Sequence, residues 1–111
     1  MFDAEKRGMI GLVRGDSPIH ATSLDQLKRV LDPLKDTGQP NLVLDLRRVP
    51  LVDSAGLEYL LDAFDACRSQ GGTLKLLSPT PLVTEILQVT GVSSFFEIFT
   101  DEVAAIGSFT K

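Results

Sequence analysis

Few residues in this chain have the types and spacing to do chemistry, and they gather around Val52-Asp53-Ser54-Ala55-Gly56-Leu57-Glu58. Ser54 is the centre of that group. A serine hydroxyl is a nucleophile only beside a base and a phosphate acceptor only beside a kinase. The one histidine, His20, and the one cysteine, Cys67, lie far off in sequence. The segment is superficially like the G-x-S-x-G elbow of serine hydrolases, but Val52 stands where the first glycine belongs and nothing fixes His20 near Ser54. One His and one Cys form no recognisable metal motif, there is no phosphate-binding Walker loop, and no cofactor is expected. Gly15-Asp16-Ser17 lacks the paired acids of a phosphate-receiving regulator. The remaining chemistry is that of an exposed hydroxyl at a helix start. A phosphate there would meet free N–H groups and the positive end of the helix dipole.

A strand and a helix must position that hydroxyl. Asn41 to Val49 carries Leu42, Val43, Leu44 and Leu46, a near-continuous apolar run that reads as a central strand. Asp45 interrupts it and needs a partner or an exposed face. After Asp53-Ser54, apolar residues recur at helical spacing: Leu57, Leu60, Leu61, Phe64 and Cys67. A helix over 54–70 follows, ended by Gly71-Gly72. Either Ser54 or Asp53 serves as its N-cap, Asp53 alternatively orienting the Ser54 hydroxyl. Gly56 admits either close approach of a partner or tight packing of the first turn.

The rest of the chain frames this unit. Residues 1–6 form either an edge strand or a frayed terminus. Met9 to Val13 reads as a strand, closed by the turn-forming Gly15-Asp16-Ser17-Pro18. Ser23 and Gln26 have capping-box spacing ahead of a helix with Leu24, Leu27, Val30, Leu31 and Leu34 on its apolar side. Pro33 costs about 3 kcal/mol in a helix interior and predicts a kink near Asp32 or an early stop. Thr73 to Leu77 is a further strand. Thr80-Pro81 starts a helix whose inner face is Leu82, Val83, Ile86, Leu87 and Thr90, ended by Gly91. Residues 95–99 form a short aromatic strand or a packed loop. Asp101-Glu102 opens a last helix to about Ile106, and the tail from Gly107 is expected to be loose. Alternating strands and helices favour an α/β fold with parallel strands and helices mainly on one face.

At 111 residues with 43% apolar content, the chain suits one domain with a real core, spanning 1–111 with its centre at about 9–106. A net charge of −4 argues against a nucleic-acid backbone as main partner. A single cysteine and the absence of an apolar leader or a long apolar run fit a cytoplasmic protein without a membrane span. His20 reads as a solvated loop residue, Cys67 as a buried hydrophobe, Asp45 as a satisfied carboxylate and Arg47-Arg48 as a solvated strand end.

Across residues 9–105 the chain resembles a STAS domain of the bacterial anti-sigma factor antagonist type. The matching pieces, in order, are Leu42-Val43-Leu44-Asp45-Leu46, Val52-Asp53-Ser54-Ala55-Gly56-Leu57, Gly71-Gly72-Thr73-Leu74-Lys75-Leu76, and Thr90-Gly91-Val92 before Phe95-Phe96. The resemblance implies a small mixed β-sheet with about four helices packed mainly on one side. It implies that Ser54 is phosphorylated by a partner that is both anti-sigma factor and serine kinase of the GHKL type, with ATP bound on that partner. The unphosphorylated antagonist would bind the kinase and free the sigma factor; phosphorylation would break the complex and a serine phosphatase would restore it. Asp16, Asp53, Ser54, Ala55, Gly56, Leu57 and Glu58 are the partner-binding residues implied. The chain would then be no enzyme. STAS domains also serve as non-switching modules, in stress-signalling scaffolds or as regulatory parts of lipid and anion transporters. In one place the chain departs from the family pattern: Gly15 matches, but Asp16 comes one residue on, and Pro18 stands where many members have an aspartate.

Overall fold

The computed structural model describes residues 1–110. Five strands, β1 (Phe2–Arg7), β2 (Ile10–Gly15), β3 (Asn41–Asp45), β4 (Thr73–Leu77) and β5 (Ile98–Phe99), form one sheet in the order β1-β2-β3-β4-β5. β1 runs antiparallel to β2, and every later pair is parallel. Residues 1–6 are thus an edge strand and not a frayed end.

A parallel neighbour cannot be reached by a tight turn, so each parallel step needs a crossover. The crossovers are α1 (Leu24–Lys35), α2 (Ser54–Ser69) and α3 (Pro81–Val89), the last followed by a 3-10 turn over Val92–Phe95. Side chains alternate along a strand, and here the two faces bury separate clusters. Val13, Leu42, Leu44, Leu74 and Leu76 meet Leu27 and Leu31 of α1, Leu60 and Ala63 of α2, and Val83 and Leu87 of α3. Ile10, Leu12, Val43 and Leu77 point the other way, onto Ala105 of α4 (Glu102–Gly107). Three helices cover one face and a fourth, short one covers the other, so the sheet is not left bare as a strictly one-sided packing would leave it.

Several local expectations change once tertiary contacts are present. Ser23 occupies the N-cap of α1 but makes no side-chain cap bond; its hydroxyl donates instead to the Pro18 carbonyl at 2.5 Å. Helix α1 runs two residues past Pro33, so the proline does not end it early. The apolar run 41–49 is a strand only to Asp45; beyond it Leu46 still bonds across to Leu77, and Leu46 and Val49 are buried. On α3, Val83 and Leu87 face the core, whereas Leu82 is 51% exposed and Thr90, the C-cap, is exposed too. Leu82 lies in the first turn of α3.

The tail expected to be loose is ordered as a 3-10 turn over Ser108–Thr110. Phe109 packs on the second cluster, and the Lys75 ammonium lies 4.2 Å from its ring centre while bonding the Ser108 hydroxyl at 2.8 Å. Lys75, only 6% exposed, thereby finds partners for its charge on the face where its strand position puts it.

Candidate functional site

Helix α2 starts at the carboxyl end of β3, and Asp53 is its N-cap. Asp53 Oδ1 accepts from the Gly56 N–H at 2.9 Å, and the Asp53 carbonyl accepts from Leu57 N–H at 2.9 Å. Ser54 is therefore the first residue of the helix and not its cap. Its side chain is exposed, and no hydrogen bond engages its hydroxyl among the described residues. The two readings left open for Asp53 resolve in favour of the cap.

The loop between β2 and α1 is built into the same site. Ile19 forms an isolated parallel bridge with Val52, through Ile19 N–H to Leu51 O at 2.8 Å and Asp53 N–H to Ile19 O at 3.1 Å. Ala21 N–H donates to the second Asp53 oxygen at 3.1 Å. One carboxylate thus closes the first turn of α2 and pins the neighbouring loop. The Gly56 N–H bond, helped by the Ala21 N–H and by nearby His20, holds the Asp53 carboxyl below its ordinary range.

Gly56 explains how the loop comes so close. A Cβ on it would stand 2.3 Å from the Ile19 carbonyl oxygen and 2.9 Å from side-chain carbons of Ile19 and Val52. The requirement is internal packing against the loop. Gly56 and Leu57 are buried, Ala55 and Asp53 half-buried, and Ser54 and Glu58 exposed. Of the residues singled out in this segment, Ser54 and Glu58 are therefore the ones most open to a partner, while Gly56 and Leu57 shape the ground beneath them. The exposed Leu51 lies just before them, an apolar contact that reading the strand from its pattern did not single out.

Asp16 is exposed at the far end of the loop, where it pairs with the terminal ammonium at 2.6 Å, which lowers its pKa. A cavity of about 500 Å³ opens there, lined by Asp3, Arg14, Asp16, Asp45, Arg47 and Arg48, and Ser54 does not line it. Asp45 is 6% exposed and satisfied, accepting from Arg47 N–H at 2.9 Å and lying 3.6 Å from Arg14. His20 Nδ1 sits 2.9 Å from the Thr22 hydroxyl and 3.2 Å from that of Ser23. Cys67 is fully buried in α2, and burial pushes its thiol up to about 11. Among the described residues no group of three or more His, Cys, Asp or Glu is placed to hold a metal, and no helix is long and apolar enough to cross a membrane.

The STAS domain family model matches residues 1–105, and this chain belongs to that family. A protein of Bordetella bronchiseptica named as an anti-sigma factor antagonist, BtrV, is 31% identical over 91 residues, 82% of this chain and 78% of that protein. A crystal structure described as an anti-sigma factor antagonist from Thermotoga maritima superposes with a TM-score of 0.91 at 20% identity, covering 99% of this chain and 95% of that one. The anti-sigma factor antagonist SpoIIAA in its unphosphorylated form gives a TM-score of 0.82 at 18% identity, covering 99% and 96%. A structure of the Bacillus SpoIIAA in its phosphorylated form gives 0.75 at 18%, covering 98% and 99%. At such identities the structural likenesses speak for the fold.

Proposed function

We propose that this STAS domain is an anti-sigma factor antagonist switched at Ser54. Unphosphorylated, it binds an anti-sigma factor that is also a GHKL-type serine kinase carrying its own ATP, and so releases the sigma factor. Phosphorylation of Ser54 dissociates the pair, and a serine phosphatase resets it. The domain, taken as the whole of 1–111, catalyses nothing itself and works in the cytoplasm.

The observation that carries this reading is the free, exposed hydroxyl at the first position of α2, next to a cap that leaves it unused. The name of the Bordetella relative and the two SpoIIAA forms support the same reading. The physics accommodates it. Phosphorylation adds nearly two negative charges at a point where the helix dipole tolerates them within the domain. Against a docked partner, the added charge beside Asp53 and Glu58 brings repulsion and desolvation. About 3 kcal/mol of such cost lowers affinity more than a hundredfold.

The test is the intact mass of the protein after incubation with a candidate kinase and ATP, with Ser54→Ala alongside. One added phosphate on the wild type and none on the variant is the expected result. A stable complex with no added phosphate would instead make the domain a non-switching interaction module.

A further inference from the structure

Arg47 and Arg48 meet in one cavity with their charges unanswered. This cavity, of about 500 Å³, lies at the carboxyl ends of β2 and β3, the end of a parallel sheet at which α/β proteins hold ligands. Its floor is a row of cross-strand neighbours, Asp3 of β1, Arg14 of β2 and Asp45 of β3. Alternation along the strands puts Arg14 and Asp45 on the side that carries Leu12, Val43 and α4. Arg14 is engaged there: its guanidinium meets Glu5 at 2.9 Å, Glu102 at 2.8 Å and Asp45 at 3.6 Å. Asp16 is engaged by the terminal ammonium. The wall differs from the floor. β3 stops at Asp45, whose carboxylate accepts from the Arg47 N–H at 2.9 Å, and a turn closes from Val49 N–H to Leu46 O at 3.1 Å. Arg47 and Arg48 are the central residues of that turn, and both line the cavity. Neither guanidinium, nor the Asp3 carboxylate, has a hydrogen bond or ion pair among the described residues.

We propose that this cavity is a binding site for a phosphate monoester of a small hydroxylated molecule. Two guanidiniums on one turn balance the two negative charges of such a group, and their forked N–H donors match its oxygens. The Asp45–Arg47 bond orders the turn before a ligand arrives, so less freedom is lost on binding. Asp3, an unpaired acceptor in the same cavity, repels a bare phosphate and accepts from a hydroxyl on the rest of the ligand. The volume is that of a site for a small organic molecule. Binding is reversible and changes no covalent bond. Ser54 does not line the cavity, so the proposal stands apart from the switch.

The test is a titration of the full chain by 1H–15N NMR with glycerol 3-phosphate, inorganic phosphate and glycerol as probes. Saturable shifts of the Gly15, Arg47 and Arg48 amides are expected with glycerol 3-phosphate, weaker binding with inorganic phosphate and none with glycerol. Making Arg47→Gln and Arg48→Gln together should weaken glycerol 3-phosphate binding at least about tenfold, as the loss of two charge-assisted contacts requires. Asp3→Ala should narrow the preference for glycerol 3-phosphate over inorganic phosphate, because it removes a hydroxyl acceptor and a repelling charge together. All three side chains are exposed, so these variants are expected to keep the wild-type NMR fingerprint. Shifts that do not saturate, or that survive the two arginine replacements, overturn the proposal. So does equal binding of glycerol 3-phosphate and inorganic phosphate, whether or not any kinase modifies Ser54.

Discussion

Helices α2 and α4 both begin on an aspartate, yet only one of these starts has the makings of a switch. Asp53 Oδ1 accepts from Gly56 N–H at 2.9 Å, and Asp101 Oδ2 accepts from Ala104 N–H at 3.0 Å. The difference is in the next residue. After Asp101 comes Glu102, whose two oxygens meet Arg7 and Arg14 at 2.8 Å each. The positive end of α4 is already answered by a carboxylate, and that carboxylate is tied to the sheet. After Asp53 comes Ser54, small, uncharged and open, and the first turn of α2 holds no acid. A further negative charge is redundant at α4 and accommodated at α2. An aspartate cap is therefore ordinary architecture. What singles out α2 is an unused hydroxyl beside the cap, a first turn with no second carboxylate, and a loop fastened to the same carboxylate.

That contrast can be broken by experiment, and the largest effect is expected at Ser54. Phosphorylated protein should bind its kinase partner more than about a hundredfold more weakly than unmodified protein, by calorimetry; an unchanged dissociation constant would remove the switch from the α2 start. Next is Gly56→Ala. Its Cβ meets loop backbone, which cannot swing aside as a side-chain end can, so stability to urea should fall by about 2 kcal/mol. Gly107→Ala, in the last turn of α4, has no heavy atom within 4 Å of the added carbon and should be neutral or slightly stabilising.

Third, Asp53→Ala should lower the melting temperature about twice as far as Asp101→Ala, roughly 8 °C against 4 °C, since it removes a cap and a loop anchor together. Equal losses would mean that the Ala21 bond is idle. The Asp53 pKa is depressed below its ordinary 3.8. Its contribution to stability is therefore full above the unfolded value and is lost as pH falls through the folded one. In Asp53→Asn, the stability lost by the wild type on acidification below about pH 4 should be correspondingly smaller. Smallest of all, Glu102→Gln should cost less than about 1 kcal/mol, and the cost should shrink in high salt, because its partners are partly solvated.

Much of this architecture is legible in the residues alone. The apolar run at Leu42–Leu46, the helical spacing from Leu57 to Cys67 and the Thr80-Pro81 start are strong local signals, and the folded chain agrees with each. Gly71, at a φ of +84°, ends α2 as its position suggests. What could not be read depends on contacts distant in sequence. Ser23 makes no cap bond, and its hydroxyl donates to Pro18 O. The tightest contact that requires Gly56 is with Ile19, thirty-seven residues earlier, and no spacing rule joins them. The tail is held by Phe109 packed on the second cluster and by the contacts of Lys75 with Ser108 and Phe109, which the pattern of residues 107–110 does not reveal. The site was visible because it sits on a local strand-to-helix junction; its second half, the β2–α1 loop, was not.

The buried thiol of Cys67 bears on how such questions can be asked. Burial keeps that sulfur protonated at neutral pH and out of reach of reagents in the folded state. The natural chain thus behaves as though it had no thiol at all. A Glu58→Cys variant would carry a single reactive handle one helical turn from Ser54, and an environment-sensitive dye attached there would report docking and release in real time, with no background substitution needed.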